Sequence, residues 1–157
     1  MKSIRFKLLC LLILVSIDQY SKYIAQSIKF REIIPSFMNL SIVENPGIIF
    51  GIFSDSNYYF KSIFLIVIGF ITIIYFGMLF FKSTLPKYSM LCLGLILSGS
   101  IGNVIDRIRY GHVIDFIDIY YKEWHYWTFN FADSYIIVGL FGWLLNDLIS
   151  CKKNLIT

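Results

Sequence analysis

The chain has 157 residues, 57% of them hydrophobic, 18% aromatic and 15% charged, with a mean hydropathy of +0.70 and a formal net charge of +4. That is too apolar for a water-soluble domain of this length, so the expectation is one integral membrane domain over 1–157. The positive charge forms no basic run interleaved with aromatics, which argues against a nucleic-acid partner.

In chain order, Leu8 to Ile17 is strongly apolar and is then interrupted by Asp18, Gln19 and Lys22. A basic Met1–Lys7 before it has the look of a signal-peptide n-region. No small-x-small cleavage site follows, so the segment reads as an uncleaved anchor. The residues before Cys10 are not the small ones that precede a lipidated cysteine. Phe37 to Val43 partly alternates polar and apolar residues, and Asn45-Pro46-Gly47 is a turn signal. The expectation there is a strand, a turn and a second strand at Ile48–Phe53, lying on the membrane surface. Tyr58-Tyr59-Phe60 marks an interface. Ile63 to Phe81 is then an uncharged stretch of 19 residues, reaching roughly 28 Å, about one hydrocarbon thickness. Ser89 to Ile105 adds 17 uncharged residues, and Ser134 to Asn146 is again apolar, with Asp147 beyond it. The expected fold class is an all-α membrane protein of four transmembrane helices, at about 6–25, 60–81, 88–107 and 133–150. A small extracytoplasmic β-cradle at 33–53 occupies the first outer loop.

Charge sets the expected direction. One side holds Lys2, Arg5, Lys7, Lys82, Lys87, Lys152 and Lys153 against Asp147 alone, while the other holds seven basic and nine acidic residues. The positive-inside rule puts both termini in the cytoplasm and the polar motifs on the outer face. Cys10, Cys92 and Cys151 then fall toward the inner half and read as small apolar fillers, without metal-ligand or disulfide spacing. Gly94, Ser98 and Gly102 form a row of small residues that lets another helix approach closely, and Gly139 and Gly142 suit the same purpose.

The polar residues cluster between the last two apolar segments, where ionisable groups are costly and call for a partner or a function. Asp115 and Asp133 flank a connection between antiparallel helices, so the two carboxylates can meet at its mouth. Two carboxylates in one partly desolvated site do not both ionise cheaply, and such a pair can activate water and protonate a leaving amine. A structural ion network stands beside that reading at this point. Asn103, Asp106 and Arg107 share one helix face. An Asp106–Arg107 ion pair is expected to anchor the loop, with Asn103 and Arg107 able to hold substrate carbonyls. Asp18 and Lys22, one turn apart, read as a further structural pair. His112 and His125 lack a third ligand, so neither a metal nor a cofactor is expected. Trp124, Tyr126 and Trp127 read as an interfacial belt.

These residues fall into five ordered motifs: Asp18-Gln19-x-x-Lys22, Asn45-x-Gly47-x-x-Phe50, Gly102-Asn103-x-x-Asp106-Arg107, Gly111-x-Val113-x-Asp115-Phe116 and Phe129-Asn130-x-Ala132-Asp133. Together they resemble bacterial lipoprotein signal peptidase (signal peptidase II) over nearly the whole length. The resemblance implies an intramembrane aspartyl endopeptidase in which Asp115 and Asp133 are the catalytic pair. Asp18, Lys22, Asn45, Gly47, Asn103, Asp106, Arg107 and Asn130 match positions that support the site or bind substrate. It further implies a diacylglyceryl-modified prolipoprotein as substrate, cut before the modified cysteine, and lipid as surroundings. The enzyme would be a multi-pass monomer of the bacterial cytoplasmic (inner) membrane with its site near the outer face. Departures are Pro46, Ile49, Ser98 and Thr128, which touch loop shape and substrate preference. A small proton- or ion-coupled carrier, with the aspartates as relay groups, is the competing reading. It would place carboxylates near the midplane and use broken or repeated helices, which the sequence lacks. A non-catalytic assembly factor would leave the paired aspartates unexplained.

Overall fold

The computed structural model describes residues 4–47, 58–82 and 85–154, with the backbone alone at 58, 59 and 150–154. Four long helices carry the apolar segments: α1 (Ile4–Ile28), α2 (Tyr58–Phe80), α3 (Lys87–Tyr110) and α4 (Phe131–Asn154). Each includes a stretch long and apolar enough to cross a membrane. α3 is the central one: 67% of its apolar window is buried, against 17% for α1 and α4 and 6% for α2. The outward faces of the other three are greasy, as at Leu12, Ile71 and Phe141, which suits contact with lipid tails rather than water. The core runs between the helices through Leu11, Phe80, Leu93, Ile96 and Leu97. Phe76 of α2 meets Trp143 of α4 edge to face at 5.7 Å.

Close packing of α3 with α4 depends on glycine. A Cβ at Gly99 would run into the carbonyl oxygen of Ala132, and one at Gly139 would lie 2.7 Å from the carbonyl oxygen of Cys92. The expected small-residue row divides its work among several helices. Gly94 faces the Phe80 ring of α2, Gly102 faces Asp18 of α1 and Ala132, and Ser98 turns back to donate to the Gly94 carbonyl. α3 ends at Gly111, whose φ of 81° allows its N–H to donate to the Arg107 carbonyl.

The structure corrects the all-α expectation. β1 (Phe30–Ile34), β2 (Met38–Asn45), β3 (Val113–Tyr121) and β4 (Trp124–Phe129) form one antiparallel sheet in the order β1-β2-β3-β4. Strands were expected only at 33–53; here the α1–α2 and α3–α4 connections each contribute a hairpin, and β2 pairs with β3 across the seam. The residue types of β3 suit a strand: Val113, Ile114, Ile117 and Ile119 are β-branched and Phe116 and Tyr120 aromatic. Its two aspartates, which strands disfavour, concealed the pattern. The β1–β2 hairpin turns at Pro35–Phe37, with Ser36 at φ 59°, ahead of the turn expected at Asn45-Pro46-Gly47, where Gly47 has φ 84°. The expected strand at Ile48–Phe53 lies outside the described residues.

Candidate active site

Helix α1 supplies the foundation. Asp18 and Lys22, four residues apart, are 0% and 2% exposed, and the Lys22 ammonium lies 2.9 Å from Asp18 Oδ2 and 2.7 Å from Asp106 Oδ2. It also donates to Asn103 Oδ1 at 3.3 Å. Asp18 Oδ1 accepts the Ala132 N–H at the start of α4, at 2.9 Å. One buried cation thus joins α1 to α3, while Asp18 ties α1 to α4. Gln19 reinforces the join by donating to Asp106 Oδ1 at 2.8 Å. Burial makes such an arrangement costly unless all its charges and donors are answered.

Asp106 does not pair with Arg107 as expected. Adjacent residues on a helix point about 100° apart, so Asp106 faces Lys22 and Gln19. Its Oδ2 also accepts the Ile114 N–H at 3.3 Å, fastening the start of β3 to α3. Arg107 lies within electrostatic range of Asp133 and Asp115 first, and of Asp106 after them. Its Nε is buried without a hydrogen-bond acceptor among the described residues.

The two candidate catalytic carboxylates are held by asparagine amides. Asp115, in the buried first half of β3 opposite Val43, accepts Asn130 Nδ2 at 2.6 Å and Asn45 Nδ2 at 2.9 Å. Asp133 accepts Asn103 Nδ2 at 2.7 Å and the Asn130 backbone N–H at 3.2 Å. Asn130 Oδ1 in turn accepts the Asp133 N–H at 2.9 Å. Asn130 and Asp133 therefore form a reciprocal cap on α4. The residue that starts the helix also orients both carboxylates. Asn45 is aimed by a local turn in which its Oδ1 accepts the Gly47 N–H at 2.8 Å, with Gly47 at φ 84°. A Cβ on Gly47 would collide with Leu65 and lie 3.8 Å from the Arg107 guanidinium.

Asp115 is 1% exposed. Burial first, and then the negative charge of Asp133, push its carboxyl from 3.8 up to about 6, against the pull of the Asn45 and Asn130 amides and of Lys22. A carboxyl in that range holds or releases a proton near neutrality, which suits acid–base chemistry on a peptide bond.

All ten sequence-derived candidates lie in or beside this one network: Asp18, Lys22, Asn45, Asn103, Asp106, Asp115, Asn130 and Asp133 within it, Gly47 and Arg107 at its rim. Sequence reasoning placed Gln19 in a motif but gave it no role, although a glutamine beside Asp18 in an apolar span was a signal. It could not find the backbone donors of Ala132 and Ile114. The histidines are elsewhere: His112 lies 3.8 Å from Glu44, and His125 2.8 Å from Asp118. Trp124, Tyr126 and Trp127 project from the outer strand β4 and are exposed.

The model of the signal peptidase (SPase) II family matches residues 10–149. A lipoprotein signal peptidase of Solibacter usitatus is 35% identical over 147 residues, covering 90% of this chain and 89% of that protein. One from Buchnera aphidicola subsp. Schizaphis graminum is 43% identical over 147 residues, covering 90% and 88%. Two solved bacterial membrane enzymes share the fold. One has a TM-score of 0.80 at 29% identity and covers 96% of this chain and 92% of its own; the other has 0.79 at 30%, covering 92% and 94%.

Proposed function

The chain belongs to the signal peptidase II family, and we propose that it removes the signal peptide of prolipoproteins by cutting before the diacylglyceryl-modified cysteine, with Asp115 and Asp133 as the catalytic pair. The observation that carries the assignment of the pair is the shared amide cradle. Asn130 contacts both carboxylates, and Asn45 and Asn103 complete one side each. The protonated member of the pair donates to the scissile carbonyl oxygen while the ionised member takes a proton from the attacking water. Oxygen adds to the carbonyl carbon, and collapse of the tetrahedral intermediate breaks the C–N bond. As the intermediate collapses, the carboxyl that took the water's proton passes it to the departing amine and the other carboxylate takes a hydroxyl proton back from the diol, so the pair is left with one proton, as it began. Asp115, raised to about 6, is the member suited to hold it. Arg107, with its unanswered Nε at the rim, and Asn103 fix the substrate backbone. Asp18, Lys22 and Asp106 keep the three helices in register beneath. Gly47 allows its turn to lie against α2 and α3.

The working unit is a monomer in the bacterial inner membrane. Its termini are cytoplasmic, its aspartates lie toward the outer face and its sheet rests on that surface as a cradle for the substrate. The charge distribution supports that direction. The carrier reading is not favoured, since the family is one of peptidases. The direct test is cleavage of a lipidated prolipoprotein peptide by purified protein in detergent. Asp115→Asn and Asp133→Asn are each expected to fold and to lose at least about 10²-fold in turnover. Near-full activity in either variant would remove that residue from the chemistry.

A further inference from the structure

At the end of the bundle away from the aspartates, α1, α2 and α3 line a half-open hollow of about 280 Å³. Its wall is apolar, built by Cys10 and Leu11 of α1, Phe80 of α2 and Met90 of α3, yet Lys7 and Lys87 also line it. Lys7 is buried, and its ammonium donates to the carbonyl oxygens of Phe80 at 2.8 Å and Lys82 at 3.5 Å. Those carbonyls, at the C-terminal end of α2, and the Phe80 ring 5.2 Å from the ammonium answer its charge in part and supply no full negative charge. Among the described residues neither Lys7 nor Lys87 makes an ion pair. Lys7 is buried and Lys87 exposed, so the pair sets positive charge at the mouth of an apolar hollow. An occupant with an anionic head and a hydrocarbon tail answers both features at once. A neutral or zwitterionic lipid fills the apolar part and leaves the two ammonium groups without a net negative partner.

We propose that this cavity binds an anionic phospholipid, one acyl chain lying against Leu11, Phe80 and Met90 and the phosphate seated between Lys7 and Lys87. Membrane lipid then serves the protein as a specific ligand at the end opposite the peptidase site, in addition to being its solvent. The site uses no residue of the aspartate network, so it stands or falls separately from the proposed reaction.

The test is native mass spectrometry of the full-length chain, stripped of lipid in detergent and titrated with phosphatidylglycerol or phosphatidylcholine of the same acyl chains. Phosphatidylglycerol is expected to be retained at least about fivefold better, the worth of one lysine near a headgroup layer. Lys87→Gln should lower its retention about fivefold and that of zwitterionic phosphatidylcholine by less, narrowing the preference, and Lys87→Arg should restore it. Cys10→Phe, which fills the cavity, should weaken both lipids. Circular dichroism confirms that each variant is folded. Equal retention of the two lipids, or indifference to Lys87→Gln in a folded variant, overturns the proposal. Displacement of the lipid by inorganic phosphate alone would make this a free-anion site and overturn it as well.

Discussion

Lys22 shows how much one side chain can hold. It stands between Asp18 and Asp106 at ion-pair distance and donates to Asn103, so α1 and α3 meet through a single ammonium. Lys22→Met leaves two buried carboxylates without their cation and is expected to cost about 3–5 kcal/mol, read from denaturant unfolding in detergent. Replacing all three groups, as in Asp18→Asn, Lys22→Met, Asp106→Asn, should recover part of that loss, because no charge is then stranded. Asp115 carries the opposite kind of burden. Its folded value of about 6 lies above the 3.8 of the free group, so the folded chain binds that proton more tightly than the unfolded one. The stabilisation is complete below about 3.8 and is lost as pH rises through about 6. Asp115→Asn lacks this titration. The thermal midpoint of the wild type should therefore fall relative to that variant between pH 4 and pH 7, and a constant gap would show that burial does not strain this carboxyl. The sequence drew attention to Asp115 and Asp133 because they flank the connection between two apolar segments. Their asparagine cradle was legible only as motif positions, because nothing local says which amide reaches which oxygen.

Between elements, the contact of α3 with α4 sets the site. Gly99 admits the Ala132 carbonyl, and Ala132 and Asp133 are the residues that answer Asp18 and Asn103. Gly99→Ala is expected to push the start of α4 outward, destabilising the fold by about 1–3 kcal/mol and lowering peptidase activity with it. Gly77 is the control. A Cβ there would make ordinary contact with Leu97 at 3.9 Å, so Gly77→Ala should be neutral or stabilising through its better helix propensity. Thermal unfolding of the two variants side by side checks the pair, and equal loss at both would mean that the tight approach at Gly99 is unimportant. The sheet was the part least legible. β1 and β2 pair with β3 and β4 only because the helices bring two distant connections together. Sequence periodicity registers a strand and its faces but not a partner some 70 residues away.

At the scale of the molecule, the aspartate network gathers at one end of the helices and Lys7, Lys82 and Lys87 at the other. The proposed direction in the membrane is open to labelling. In a background without the native cysteines, Glu123→Cys at the β3–β4 turn should react with an impermeant maleimide added outside intact spheroplasts. Lys82→Cys should react only after permeabilisation, and the reverse pattern would invert the topology. The sequence by itself determined the membrane class, the four apolar helices and, through five ordered motifs, the family. Apolar run length, turn chemistry and residue type are local properties that need no partner to be read. Only the tertiary structure decided that Asp106 answers Lys22 rather than Arg107, that a strand carries Asp115, and that Asn130 caps α4 while touching both carboxylates. Those outcomes depend on which faces the packed helices turn toward one another, and the directionality of a hydrogen bond is settled only when both of its partners are in place.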